Sequence, residues 1–174
     1  DWAVKWGPLE RGSLADPARL ADVFGRYDIG GVVHFAASAL VGESMTNPGR
    51  YFQNNTVGTL NLLEAMRAAG VRTLVFSSSC ATYGNPVRVP IDETHPQAPV
   101  NPYGESKLMV EKMLRWYGEI HGLRWIALRY FNAAGADPEG DIGEDHDPES
   151  HLIPLVIGAA LGTRPPVKMF GTDY

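Results

Sequence analysis

Three consecutive serines, Ser77 to Ser79, follow an apolar run, and a tyrosine and a lysine stand four residues apart in the stretch NPYGESK shortly afterwards. If a helix begins in that stretch, Tyr103 and Lys107 share one of its faces, because side chains at positions i and i+4 are neighbours. An ammonium group near a phenol favours the phenolate, so Lys107 is predicted to lower the pKa of Tyr103. Tyr103 would then accept a proton from a hydroxyl group near neutral pH, while Ser79 hydrogen-bonds the same oxygen.

Strand and helix patterns alternate around these residues. Short apolar runs bounded by glycine or polar residues predict buried strands, and apolar positions at helical spacing predict helices. The predicted strands are residues 30–37, 71–79 and 123–131, with a further candidate at Gly7 to Arg11, and the predicted helices are residues 13–27, 51–69 and 102–121. This alternation is typical of an α/β fold with a parallel sheet.

The amino-acid composition of the chain changes after Asn132. Residues 133–150 are rich in acidic residues and glycine and are predicted to form a solvated loop, without a metal site. A helix is predicted over residues 152–162 and a short strand over residues 167–170.

Small and polar residues stand at the ends of three predicted strands, at Ala36–Ser38, Ser77–Ser79 and Asn132–Ala133. In open α/β sheets, ligands bind at the carboxyl ends of the strands. Small side chains after the first of these strands would let the phosphates or ribose of a ligand approach the backbone closely. We therefore predict that the catalytic and ligand-binding groups share one edge of the sheet.

Composition excludes several classes of function. The net charge of −5 disfavours nucleic-acid and anionic-membrane surfaces, which need clustered basic residues. The longest smooth apolar run, Leu152 to Gly162, contains Pro154 and is too short to span a bilayer. No signal peptide is recognisable, and the single cysteine, Cys80, fits a reducing compartment, so we predict a cytoplasmic protein.

Several longer segments resemble the extended short-chain dehydrogenase/reductases and, within them, the UDP-glucose 4-epimerase family. These are HFAASALVGES (34–44), NNTVGTLNLLEAM (54–66), FSSSCATYG (76–84), NPYGESKLMVE (101–111) and LRYFNAAGADPEGDIGED (128–145). The last segment discriminates best against sibling sugar-nucleotide dehydratases and decarboxylases. The resemblance implies a partial NAD-binding domain over residues 1–131, with a Rossmann-like doubly wound parallel sheet that lacks its first strands. It also implies the start of a smaller UDP-sugar-binding domain over residues 132–174.

The resemblance also assigns roles to individual residues. It makes Tyr103 the acid/base, Lys107 its partner and Ser79 the group that binds the reacting hydroxyl. The residues it implies for NAD binding are Ser13, Leu14, Phe35, Ala36, Ala37, Ser38, Ala39, Asn55, Ser77, Tyr103, Lys107 and Phe131. Those it implies for UDP-sugar binding are Ser79, Tyr103, Asn132, His151, Lys168, Met169 and Phe170.

The implied activity is NAD-dependent inversion at C4 of a UDP-hexose, UDP-galactose to UDP-glucose, through a 4-keto intermediate in a homodimer. A 4-epimerase of UDP-GlcNAc, UDP-xylose or UDP-arabinose and a sibling dehydratase remain alternatives. A hydrolase with Ser79 as nucleophile and His151 as base lacks the G-x-S-x-G turn of such enzymes. A dinucleotide-sensing protein without turnover is the non-enzymatic alternative.

The sequence departs from the family in one large feature. No G-x-x-G-x-x-G or G-x-G-x-x-G motif occurs in these residues, although the family carries one on its first strand. We therefore expect a central piece of an epimerase that is poorly stable and inactive by itself. Two smaller departures are Ser13, where the family commonly has Asp, and Ala39, where it often has Lys.

Overall fold

The computed structural model describes residue 4 and residues 6–144, 146–169 and 171–172. The backbone contacts divide the chain into two compact units. The larger unit is Trp6–Phe131, and the smaller unit comprises Asn132–Tyr174 with the amino-terminal Asp1–Lys5.

The described part of the larger unit contains one parallel sheet of three strands. They are β1 (Val32–His34), β2 (Thr73–Ser79) and β3 (Arg124–Tyr130), in the order β1-β2-β3. β2 lies between the other two strands, so the serine row ends at the centre of the carboxyl edge of the sheet. The predicted parallel α/β fold is confirmed.

Helices precede and connect these strands. They are α1 (Pro17–Arg26), α2 (Val41–Thr46), α3 (Pro48–Tyr51), α4 (Gly58–Ala68) and α5 (Pro102–His121), and Phe52–Val57 between α3 and α4 is a π-helical segment. The predicted helix over residues 51–69 therefore contains a change of helical winding. The predicted helix over residues 13–27 begins only at Pro17, because Asp16 caps it by accepting a hydrogen bond from the Arg19 N–H. Neither α2 nor α3 was predicted.

The predicted strand at Gly7 to Arg11 is wrong. These residues form no ladder in the structure. The carbonyl oxygen of Arg11 instead accepts a hydrogen bond of 3.0 Å from Nε of Arg19, so a side chain satisfies a group that a strand would pair with a neighbouring backbone.

The core lies between α4, α5 and one face of the sheet. Its fully or nearly fully buried members are Leu62, Leu63, Met66, Val71, Leu74, Phe76, Val110, Leu114 and Leu123. On the opposite face, Val33, Ile126 and Leu128 are exposed. The packed face thus holds α5, which carries the tyrosine and lysine, firmly against β2.

The smaller unit contains one helix among its described residues, α6 (Leu152–Ala160), as predicted. Apart from Asp145, which is not described, residues 133–150 form the predicted loop. The predicted strand at 167–170 is wrong for residues 167–169, which pair with no other strand, and Phe170 lies outside the described residues. In the part of the chain that the structure describes, no helix has the length and apolar character needed to cross a membrane.

His34 at the end of β1 is a buried core residue, only 4% exposed. Its Nε2 lies 2.8 Å from Oγ1 of Thr59, whose hydroxyl donates to the carbonyl oxygen of Asn55. Burial, together with the nearby Lys107 ammonium, lowers the pKa of His34 from 6.5 to about 4. His34 is therefore held neutral in the folded protein.

This burial predicts an acid-sensitive fold. Between pH 6.5 and about 4, the unfolded chain protonates His34 and the folded chain does not, so stability falls as the pH falls. We expect His34 to account for a loss of about 3 kcal/mol in the free energy of unfolding. Urea unfolding of the full-length protein across this range measures it. His34→Gln should flatten this part of the profile and His121→Gln should not; equal acid loss in both variants would contradict the assignment.

Candidate active site

The three serines at the end of β2 make three different sets of hydrogen bonds. The carbonyl oxygen of Ser77 accepts a hydrogen bond of 2.7 Å from Nζ of Lys107. The Ser78 hydroxyl points into the protein and donates to Oε1 of Glu111 at 2.6 Å. Oγ of Ser79 accepts from the Ala81 N–H at 3.1 Å, which leaves its own proton free to donate. Ser77 and Ser78 therefore each hold α5 by a hydrogen bond, and Ser79 presents its hydroxyl at the sheet edge.

The start of α5 is defined by its own residues. Oδ1 of Asn101 caps the helix by accepting from the Gly104 N–H at 2.8 Å, and Pro102 occupies the first turn, where its missing N–H costs nothing. Tyr103 is thereby placed in the first turn and Lys107 one turn later. A Cβ atom at Gly104 would lie 2.4 Å from the carbonyl oxygen of Ala81, so only glycine lets the helix start come this close to the end of β2.

Gly104→Ala should move Tyr103 away from Ser79. The added methyl group has to push the first turn of α5 away from Ala81, which moves Tyr103 relative to Ser79. We expect turnover by the full-length protein to fall about 10²-fold, the usual cost of a misplacement of about 1 Å. Stability should fall by about 1–3 kcal/mol, as for other overpacked sites.

Gly25→Ala is the matched control, because no atom lies within 4 Å of a Cβ built at Gly25. It should leave turnover unchanged. Normal turnover in Gly104→Ala would show that the close approach does not position Tyr103.

The predicted trio of Ser79, Tyr103 and Lys107 is brought together. The Ser79 side chain lies close enough to the phenol of Tyr103 to affect its pKa. Nζ of Lys107 lies 5.8 Å from the centre of the Tyr103 ring and 5.0 Å from that of Phe76. Lys107 is only 3% exposed, and its ammonium is anchored on the Ser77 carbonyl. The cation thus lies against the face of the tyrosine ring and not at its hydroxyl.

The predicted effect of Lys107 on Tyr103 is wrong in this structure. The pKa of Tyr103 is raised: burial is the largest cause, the Ser79 side chain works against it, and Cys80 raises it further. Burial also lowers the pKa of Lys107 from 10.5 to about 8. Both shifts arise because burial disfavours the charged form of a side chain. The phenol is therefore a proton donor here, and additional positive charge beside it is needed before it accepts a proton.

A cavity of about 620 Å³ lies along the loop after β1, within the usual size range of ligand pockets. Five of the predicted NAD-binding residues line it: Ser13, Leu14, Ala36, Ala37 and Ser38. The small side chains of Ala36, Ala37 and Ser38 leave the backbone accessible, which suits the ribose and phosphates of a dinucleotide, and larger side chains such as Glu10 and Arg19 also line the cavity. Ala39 and Phe35 are exposed and do not line this cavity.

Asn55 holds this loop in place. Its Oδ1 accepts from the Ser38 N–H at 2.8 Å, and its Nδ2 donates to the Ser38 carbonyl oxygen and to Oγ of Ser106, each at 3.0 Å. It lies in the π-helical segment, a feature that is frequent at functional sites. Asn55 therefore ties the loop after β1 to the helix that carries Tyr103, and its hydrogen bond to NAD stays a prediction.

A buried ionic network lies behind the serines and was not predicted from the sequence. Glu111, 6% exposed, receives hydrogen bonds from Ser78, from Gln97 at 3.0 Å and from the Arg129 guanidinium at 2.7 Å. Arg129 also donates to the Tyr83 hydroxyl at 2.9 Å. Burial would raise the pKa of Glu111, but these hydrogen bonds outweigh it and lower the pKa. Glu111 follows Lys107 by four residues, and this spacing was the available signal.

Comparison with known proteins places this arrangement in a family. The model of the NAD dependent epimerase/dehydratase family matches residues 3–173, nearly the whole chain. The chain belongs to the NAD dependent epimerase/dehydratase family.

Members of this epimerase/dehydratase family are similar to the chain in both sequence and structure. The UDP-glucose 4-epimerase of Rhizobium meliloti is 56% identical over 98% of this chain and 52% of its own length. A structure of UDP-glucose 4-epimerase from Brucella ovis in complex with NAD is 50% identical, with a TM-score of 0.95 over 99% of this chain and 53% of that one. The Bifidobacterium longum enzyme in complex with NAD+ and UDP is 38% identical, with a TM-score of 0.88 over 99% and 53%.

These likenesses confirm the predicted resemblance and the Rossmann-like fold class. The chain spans about half the length of the curated relatives it matches. That coverage agrees with the expectation of a central piece of a longer family member.

The remaining predicted site residues are distributed over both units. In the larger unit, the Phe131 ring stacks on Tyr83 with ring centres 6.3 Å apart. Asn132, His151, Lys168 and Met169 belong to the smaller unit, where His151 contacts Glu144 and Glu149. Phe170 lies outside the described residues, and the roles of all these residues in binding stay predictions.

Proposed function

We propose that these residues form the central part of a NAD-dependent 4-epimerase that inverts C4 of a UDP-hexose and interconverts UDP-galactose and UDP-glucose. The observation that carries the proposal is the convergence of Ser79, Tyr103 and a buried Lys107 at the carboxyl edge of the sheet. The UDP-glucose 4-epimerases that are 50–56% identical support it.

The residues present fit part of a dinucleotide. Among the residues that line the cavity along the loop after β1 are Ser13 and Leu14, which would hold the adenine end. Lys107 and Ser77, at the end of the neighbouring strand, would hold the nicotinamide ribose. The cavity proposed for the adenine end and the residues proposed for the nicotinamide ribose lie along the same edge of one parallel sheet. This is expected for a dinucleotide that crosses the sheet edge.

The chemistry of the chain's own residues is proton transfer and positioning. Ser79 orients the C4 hydroxyl of the sugar, and Tyr103 removes its proton and later returns one to the C4 oxygen of the 4-keto sugar. Bound NAD+ supplies the hydride acceptor and donor at C4 and a positive charge beside the site. Lys107 adds a second positive charge while it is protonated, which is the case below its pKa of about 8. The charge of bound NAD+ would offset the burial that raises the pKa of Tyr103.

The residues proposed to bind the UDP-sugar include several from the smaller unit. Asn132, His151, Lys168, Met169 and Phe170 are proposed to contact it, by the resemblance described above. UDP is present in the similar Bifidobacterium longum structure, which supports a UDP-linked substrate for the full-length protein.

A homodimer in the cytoplasm completes the proposal. The segment from α3 to α4 and the helix α5 are proposed as the dimer interface. Exposed apolar side chains on their outer faces support it, namely Val57, Leu60, Met109 and Trp116. The cytoplasmic location rests on the single, unpaired cysteine of the sequence.

Product analysis with the full-length protein tests the proposal. UDP-galactose, UDP-GlcNAc, UDP-xylose and UDP-arabinose would be incubated separately, without added oxidant, and followed by NMR. We expect UDP-glucose from UDP-galactose, with kcat/KM for this substrate exceeding that for the others. Preferred turnover of another UDP-sugar would replace the substrate, and a product that has lost water would identify a dehydratase.

A further inference from the structure

Four potential metal ligands converge in the smaller unit, outside the residues assigned to proton transfer. They are Glu144, His146, Glu149 and His151, two carboxylates and two imidazoles in the pattern E-x-H-x-x-E-x-H. One ligand atom of each side chain lies within 4.8 Å of those of the other three. From its sequence, this stretch was predicted to be a solvated acidic loop without a metal site.

We call these four residues the Glu/His cluster. Their ligand atoms face one another. Nδ1 of His146 lies 3.1 Å from Oε1 of Glu144, and Nδ1 of His151 lies 2.5 Å from the same oxygen. Nδ1 of His151 also lies 3.1 Å from Oε1 of Glu149. The two imidazole rings are 4.7 Å apart between their centres.

Glu149 fixes one corner of the cluster. Its side chain is only 6% exposed, unlike those of the two histidines. Its Oε1 also accepts a hydrogen bond of 2.8 Å from the His151 N–H, so the carboxylate is held by the backbone as well as by the imidazole. One carboxylate of the cluster is thus nearly buried, and the two imidazoles beside it are exposed.

The donor set selects a class of metal ion. Two imidazole nitrogens with two carboxylate oxygens suit a borderline divalent ion such as Zn²⁺, whereas Ca²⁺ and Mg²⁺ prefer oxygen ligands alone. Bonds of about 2.0–2.2 Å place the ligand atoms of a tetrahedral zinc ion about 3.3 Å apart. Two of the observed separations, both 3.1 Å, are close to that value, and all four ligand atoms lie within 4.8 Å of one another.

Charge favours the same ion. With both imidazoles neutral, the two carboxylates leave two negative charges within a few ångströms of each other, and a divalent cation neutralises both. We propose that Glu144, His146, Glu149 and His151 bind one Zn²⁺-class ion in tetrahedral geometry, which fixes the loop that precedes α6.

This site goes beyond the proposed epimerase function and shares one residue with it. His151 is also a proposed UDP-sugar contact. Coordination through Nδ1, the nitrogen that faces Glu144 and Glu149, leaves Nε2 of the same ring available to a substrate. Metal binding is measured directly and without UDP-sugar, so failure of one proposal is distinguishable from failure of the other.

Metal titration of the full-length protein tests the site. The protein, freed of any affinity tag and treated with a chelator, would be titrated with Zn²⁺ by calorimetry and with Co²⁺ by visible absorption. We expect one saturable ion per chain and intense Co²⁺ bands of tetrahedral type. His146→Ala and Glu149→Gln should each weaken Zn²⁺ binding by at least about tenfold, since even indirect partners of a metal commonly contribute that much.

His121→Gln and Glu139→Gln are the matched controls, because each removes the same type of side chain outside the Glu/His cluster. Both should bind Zn²⁺ as the unaltered protein does. Absence of saturable binding, weak octahedral Co²⁺ bands, or equal affinity in His146→Ala and His121→Gln would each overturn the proposal.

Discussion

Tyr103→Phe in the full-length protein should lower kcat for UDP-galactose by about 10²–10⁴-fold, the usual contribution of a positioned general acid or base. The variant removes only the hydroxyl group beside Ser79. The ring remains, with its edge against Tyr51 at 6.4 Å between ring centres and its face near Lys107. Because the packing is kept, NAD content and the melting temperature should stay close to those of the unaltered protein.

Tyr117→Phe is the matched control for this prediction. Tyr117 lies on the same helix, and its hydroxyl hydrogen-bonds Glu64 at a distance from the serine row. Its loss should leave kcat unchanged. Equal kcat values for the two variants would remove Tyr103 from the chemistry, whereas loss of NAD from Tyr103→Phe would make it a binding residue only.

Glu111→Gln should destabilise the protein by about 3–5 kcal/mol, the cost of removing one partner of a buried ion pair. The amide that replaces the carboxylate cannot neutralise Arg129, whose pKa is raised chiefly by its hydrogen bond with Glu111. It also cannot accept from Ser78, Gln97 and Arg129 together. Urea unfolding of the full-length protein measures the loss of stability.

Glu119→Gln tests whether burial is the cause of the large loss of stability expected for Glu111→Gln. Glu119 pairs with Arg115 on the same helix at 3.7 Å, and both side chains are more than half exposed. An exposed pair of this kind contributes about 0–1 kcal/mol. A similar loss of stability in both variants would show that burial of the Glu111 network contributes nothing.

The alternation of strands and helices was readable because each element carried its own signal. β2 and α5 are strongly marked: a run of apolar residues ends in serine, and an asparagine cap is followed by proline. The meeting of Ser79 with Tyr103 follows from these two elements, since a helix returning along a parallel strand begins near the strand's carboxyl end.

The features that sequence reasoning missed depend on tertiary contacts. The direction of the Lys107 ammonium is set by the Ser77 carbonyl, which no local pattern reveals. The pKa shifts of Tyr103 and Lys107 follow from burial, and burial depends on packing between distant segments. The ion pair of Glu111 with Arg129 joins a helix to a strand, and Arg129 lies beside Ser78 only through the sheet register.

The most direct test of the central claim follows the hydrogen at C4 of the sugar. The full-length protein would convert UDP-galactose carrying deuterium at C4, and the UDP-glucose formed would be analysed by mass spectrometry and NMR. Transfer of this hydrogen within one closed site predicts that the product retains the deuterium at C4, with none released to water. Release of the deuterium to solvent, or its absence from C4 of the product, would contradict the account.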